Sequence, residues 1–105
     1  MNRDLELQVF DEFVDEHYFP PAKNWPRQES LYRSCCRWAL SEIRREFVAR
    51  RDAPILDILG DMYAVMEDAM ACADETEPYN GLYPTPSMVF GVGREMTEIV
   101  AGLYL

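Results

Sequence analysis

The sequence predicts an all-α fold, a four-helix up-and-down bundle spanning residues 1–105, and three observations predict it. Apolar residues recur at three- and four-residue spacing in four separate stretches, the period of a helix with one buried face. Prolines stand between those stretches or at their starts rather than inside them. No run alternates apolar and polar residues as a half-buried strand does. With 105 residues, 49% of them hydrophobic, the chain can fill one core and is too short for two, so a single domain is expected.

In the first helix Leu5, Val9 and Phe13, together with Phe10, Val14 and Tyr18, are expected to form one apolar stripe. Asp4, Glu6, Asp11, Glu12, Asp15 and Glu16 surround it, and Pro20-Pro21 ends it. Pro26 suits the first position of the second helix, because the N–H it lacks would have no intrahelical partner there. Tyr32, Cys35, Ala39, Ile43 and Phe47 then keep helical spacing as far as Arg51, with Glu29 to Arg33 and Glu46 to Arg50 as favourable i,i+4 pairs. Asp52 is expected to cap the third helix, with Pro54 in its first turn. Ile55, Leu59, Met62, Met66, Ala69 and Ala73 would share one side of it. Thr85-Pro86 opens the fourth helix, where Val89, Val92, Met96, Ile99 and Leu103 make the narrow seam of a helix packed lengthwise on others. Gly93, Thr97 and Ala101 form a small-residue ridge beside that seam, a candidate self-association surface, and a homodimer with the fourth helix near its interface is expected.

Connection lengths arrange these helices. The second and third are joined closely around Asp52, which favours an antiparallel pair, and the two longer links then fall at the opposite end. That end gathers Phe19, Lys23, Trp25 and Arg27 with Glu75, Glu77, Tyr79, Leu82 and Tyr83. Its aromatic residues either plug the open end of the core or form a recognition surface, and Trp25, Tyr79, Leu82 and Tyr83 are candidate partner-binding residues.

Charge is sorted into three blocks. Residues 1–22 carry six acids against Arg3, residues 23–51 carry eight bases against Glu29, Glu42 and Glu46, and residues 52–105 carry ten acids against Arg94. A basic segment between two acidic ones suggests neighbouring elements whose faces pair internally, and the formal net charge of −9 leaves a negative field for solvent or for a basic protein partner. Arg33, Arg37, Arg44, Arg45, Arg50 and Arg51 could face phosphates. Pairing with the acidic first helix is the more economical use, since Asp11/Asp15 and Glu12/Glu16 repel along their own helix and an opposing basic helix relieves them. Nucleic acid is therefore not the expected partner. In an alternative reading, acids of the first and third helices, with Asp57, Asp61 and Asp68 as candidate partner-binding residues, imitate a phosphate backbone.

The acid ladder Asp11-Glu12-Phe13-Val14-Asp15-Glu16 resembles the carboxylate helix of the all-α nucleotide pyrophosphohydrolases, which implies Mg²⁺-dependent chemistry. A second acidic motif should then follow on a facing helix. The second helix is basic, and the third offers only Asp57, Asp61, Glu67 and Asp68, poorly matched to that motif. Bundle di-iron chemistry needs Glu-x-x-His, and the only histidine, His17, has Val14 three residues before it. Cys35 and Cys36 point about 100° apart on a helix and cannot serve one site. Three cysteines form no disulfide framework, and reduced, buried thiols are expected. Gly91-x-Gly93 follows no strand and lacks the third glycine of a dinucleotide loop. No catalytic residue, metal or cofactor is expected.

The N-terminal residues Asn2-Arg3-Asp4-Leu5-Glu6 are acidic where a secretory signal is basic and then continuously apolar, so a cytoplasmic location is expected. No apolar run approaches the roughly 18 residues of a membrane span. The blocks Glu29-Ser30-Leu31-Tyr32, Trp38-Ala39-Leu40-Ser41-Glu42-Ile43, Ala71-Cys72 and Val89-Phe90-Gly91-Val92 are similar to those of small uncharacterised helical proteins of bacterial prophages and conjugative elements, over residues 29–105. That resemblance implies an accessory role in a mobile element and transfers no functional residue. The expected function is protein binding without catalysis.

Overall fold

The computed structural model describes residues 2–17, 27–73 and 84–105, those at 27–29 by backbone only, and four helices run through them. These are α1 (Arg3–Glu16), α2 (Arg27–Ala49), α3 (Ile55–Ala71) and α4 (Pro86–Ala101), with no strand among the described residues. Local chemistry explains their starts. Asn2 caps α1, its Oδ1 accepting from the Asp4 N–H at 2.9 Å, and Asp4 and Glu6 favour the positive end of the helix dipole. Thr85 caps α4 as expected, its Oγ1 accepting from the Met88 N–H at 3.2 Å, with Pro86 in the first turn.

The start of α3 corrects an expectation. Pro54 occupies the N-cap, without a side-chain cap bond, and Asp52 lies in the turn before it. A residue preceding proline is pushed out of the α region, so Ala53 cannot serve as the first helical residue behind an Asp52 cap. The turn is held instead by the Ala53 N–H donating to the Arg50 carbonyl at 3.2 Å, and the Pro54 carbonyl accepts from Ile58 at 3.1 Å.

Contacts along the helices fix their directions. Arg44 meets Asp11 and Phe47 meets Phe10, so α1 and α2 are antiparallel. Arg50 reaches Asp61 and Arg94 reaches Glu67, which makes α2/α3 and α3/α4 antiparallel as well. Trp38 lies against Phe90 and Phe47 against Tyr104, so α2 and α4 run in the same direction. The result is an up-and-down bundle in which α4 is central, packed most extensively on α3 and then on α2, while α1 leans on α2. Phe10, Cys36, Ile43, Phe47, Ile58, Thr97 and Val100 are the largest side chains sealed completely in its core.

Three helix faces differ from the sequence expectation. On α1 the buried residues are Arg3, Glu6, Leu7 and Phe10, whereas Leu5 is 60% exposed and Val9 is also exposed. Position 10 lies about 140° around the helix from position 5, so the two expected series cannot both face α2. Phe10 takes the core, Val14 and, from the other series, Phe13 pack half-buried against it, and Tyr18 lies outside the described residues. On α2 the residues buried include Leu31, Cys36 and Leu40 besides Cys35, Ala39, Ile43 and Phe47, because the helix has α1 on one side and α4 on another; Tyr32 is 40% exposed. On α4 the buried set is Val92, Gly93, Met96, Thr97 and Val100, and Ile99 is 42% exposed. A helix wedged between two neighbours buries a broader band than a narrow seam, and the small residues fall inside that band.

The candidate self-association ridge is thereby covered by the chain itself. A Cβ on Gly93 would stand 2.9 Å from Met66 Sδ and 3.3 Å from Trp38 Cζ3, so the missing side chain is what lets α3 and the Trp38 ring come close. Thr97 is 1% exposed and its hydroxyl donates to the Arg94 carbonyl at 2.6 Å; Ala101 is half-buried.

Arg3 closes the end of the bundle where the α2–α3 turn lies. Its Nη1 donates to Glu6 at 3.0 Å, and its Nη2 donates to the carbonyls of Arg50 at 2.8 Å, Arg51 at 3.3 Å and Ala53. These carbonyls belong to the turn that follows α2, so a cation from another helix ties that turn down and sits near the negative end of the α2 dipole. The guanidinium lies 5.9 Å from the centre of the Phe47 ring, and the Tyr104 hydroxyl donates to the Glu6 carbonyl at 2.8 Å. Burial pushes the Tyr104 hydroxyl up to about 12 and keeps it a donor.

Candidate functional site: an acid-rimmed groove between α2 and α3

α2 and α3 follow one another through a short turn yet touch sparingly, because α4 packs against both and holds them apart. Between them lies a groove of about 260 Å³ lined by Glu42, Glu46, Arg50, Asp61, Met62, Val65 and Met66. Helical periodicity supplies its walls. Glu42, Glu46 and Arg50 are successive i,i+4 positions on and just beyond α2, and Met62, Val65 and Met66 are i,i+3,i+4 positions on α3. The two methionines are buried as its floor, while Val65, at 64% exposure, stands on its lip. Methionine is flexible and polarizable, so such a floor adapts to the side chain placed on it.

Three carboxylates surround this apolar strip. Asp61 accepts from Arg50 Nη2 at 2.9 Å, and Glu42 meets Arg45 at 3.6 Å from the outer side of α2. The structure thus brings Asp61, a candidate from the sequence, to the groove. Asp57 and Asp68 lie on the same side of α3 and are exposed. Asp57 is in the first turn, where a carboxylate is favoured, whereas Asp68 is near the C-terminus, whose last turn carries no base to offset it. Trp25, Tyr79, Leu82 and Tyr83 lie outside the described residues. Glu42 and Glu46 are named from the sequence as acids within the basic block rather than as site residues, and Val65 not at all; the signal available was the branched aliphatic Val65 between Met62 and Met66, beside the acidic side of α3.

The arginines divide their attention among three helices. Arg44 grips Asp11 with two bonds of 2.9 and 3.1 Å, which holds the Asp11 carboxyl below the usual carboxylate range, and Arg51 approaches Asp4 at 3.7 Å. These are the expected pairs with α1. Arg50 turns to Asp61 on α3, and Arg45 stays with Glu42 on its own helix. Arg37 lines a second cleft, of about 200 Å³, with Phe10, Val14, Leu40 and the Asp11–Arg44 pair.

The groups considered for chemistry stand apart. Cys35 and Cys36 are buried, and burial pushes both thiols up, so they are held away from the nucleophilic thiolate. Cys72 is exposed. The His17 ring lies 4.7 Å from the Phe13 ring, with its Nδ1 3.3 Å from the Phe13 carbonyl. Among the described residues no group of three His, Cys, Asp or Glu side chains is placed to hold a metal ion, and no helix is long and apolar enough to cross a membrane. No family model, curated protein or solved structure matches this chain.

Proposed function

We propose that this protein acts by binding a basic protein partner, without catalysis of its own, as a cytoplasmic accessory protein of a mobile element. One observation carries the binding reading: Arg44, Arg50 and Arg51 are directed onto Asp11, Asp61 and Asp4, while Glu42, Glu46 and Asp61 rim an apolar groove on a chain of net charge −9. A surface of that sign steers a cationic protein toward itself and repels polyanions. The row Asp57, Asp61, Asp68 also supports imitation of a phosphate backbone, but Arg50 interrupts its middle member. That favours a partner's side chains over a nucleic-acid-binding cleft.

Affinity capture from the native host tests the proposal when it is followed by binding of the purified partner. The wild-type chain is expected to retain one protein with net positive charge, and Asp57→Asn, Asp61→Asn and Asp68→Asn together are expected to weaken that binding at least about tenfold, or ~1.4 kcal/mol. Equal binding by the neutralised variant would contradict it.

A further inference from the structure

The groove specifies more than the sign of its partner. Resting on the proposal of a basic partner, we infer that the α2–α3 groove receives an amphipathic basic helix, which seats an apolar side chain against Val65 and the Met62–Met66 floor and sets lysine or arginine side chains on Glu42, Glu46 and Asp61. Shape comes first. Two antiparallel helices held apart over a third make a channel whose long axis follows the helices, and an entering helix can lie along it with its apolar stripe downward. The apolar part is a narrow strip, which matches one stripe of a helix rather than a flat surface.

Charge complementarity then selects the occupant. The rim carries three carboxylates against the single lining guanidinium of Arg50, which Asp61 holds; Arg45 touches Glu42 only at 3.6 Å from the outer side of α2, so Glu46 and the inner side of Glu42 face the groove. Glu42 and Glu46 are one helical turn apart, so cationic residues one turn apart on a partner helix can meet both. A second copy of this chain is a poor occupant. Its exposed aliphatic residues Leu5 and Val9 on α1, Leu56 on α3 and Ile99 on α4 lie beside exposed acids, which would bring like charges onto the rim. The arginines around exposed Val48 on α2, Arg44, Arg45 and Arg51, are engaged with Asp11, Glu42 and Asp4 of their own chain. The apolar floor explains why the partner must be amphipathic and not merely cationic. A flexible polycation could satisfy the carboxylates while leaving Val65 and the methionines in water.

Calorimetric titration with two synthetic peptides of about 20 residues separates these ideas, one with leucine on a single helical face and lysine elsewhere, the other the same composition scrambled to destroy that face. At ~0.15 M salt the amphipathic peptide is expected to bind saturably with one site per chain, and the scrambled one at least about tenfold more weakly. Val65→Glu supplies the decisive variant because Val65 is exposed and the change adds negative charge. Seating of an apolar side chain requires binding to weaken about tenfold, whereas attraction by charge alone requires it to tighten. Glu42→Gln with Glu46→Gln is expected to weaken binding severalfold. Equal binding of both peptides, insensitive to or improved by Val65→Glu, would overturn the groove and leave the basic-partner reading standing. Failure of both peptides to bind would count against both. Sedimentation showing a wild-type dimer that Val65→Glu dissociates would make a second copy the occupant and overturn the inference.

Discussion

Arg3 places a buried cation beneath the last turn of α2, and its environment decides what its loss would cost. Glu6 balances its charge, three carbonyls share its Nη2 while its buried Nε has no hydrogen-bond partner, and the Phe47 ring lies alongside. Forming such a pair from two solvated ions gives little net stability, since desolvation offsets the attraction. Breaking it is different. Arg3→Met would leave the Glu6 carboxylate uncompensated and take the side-chain donor from the Arg51 and Ala53 carbonyls of the turn, so it is expected to cost ~3–5 kcal/mol, read as a lowered urea midpoint with unchanged slope. Arg3→Met combined with Glu6→Leu is expected to recover most of that loss. A single variant within ~0.5 kcal/mol of wild type would show that the pair is ornamental. Arg3 was legible as a base among acids, but its partner carbonyls lie on a turn nearly fifty residues away, and no spacing rule reaches that far.

At the scale of elements, two helical glycines have opposite meanings. A Cβ at Gly60 on α3 would meet nothing within 4 Å, so Gly60→Ala gains only helix propensity and is expected to stabilise by ~0.5–1 kcal/mol. Gly93 is closed in by Met66 and Trp38. The methionine end can swing from a single methyl, but the branched side chain of Gly93→Val also drives into the indole and is expected to destabilise by ~1–3 kcal/mol. Thermal unfolding of the two variants checks both signs. Helix existence was legible because amphipathic periodicity and punctuating prolines are local. Thr85-Pro86 was read correctly for the same reason. The Asp52 cap was misplaced because the restriction that Pro54 puts on Ala53 outweighs capping preference. The burial of the Gly93–Thr97 ridge depends on which neighbour arrives, which periodicity does not encode.

The whole molecule sorts its charge between two tasks. Arg44 and Arg51 hold α1 and Arg50 holds α3, while the excess of carboxylates over bases gives the surface its sign and Glu42, Glu46 and Asp61 rim the groove. Of the acidic rim only Asp61 was legible, as a member of the row of acids along one side of α3, whereas Glu42 and Glu46 read as acids diluting a basic helix. Its apolar half was not, because Met62 and Met66 have the spacing of ordinary core residues and become a groove floor only where α4 holds α2 away from them. The claim that α2 serves the fold and not a polyanion is tested most directly by measuring, in one series, the stability and duplex-DNA binding of wild type and Arg44→Glu at ~0.15 M salt. The Asp11–Arg44 pair is half-exposed, so its replacement by two facing carboxylates is expected to cost ~0.5–1 kcal/mol, less in high salt, with no saturable DNA binding by either protein. Unchanged stability together with wild-type DNA binding that Arg44→Glu abolishes would contradict the account.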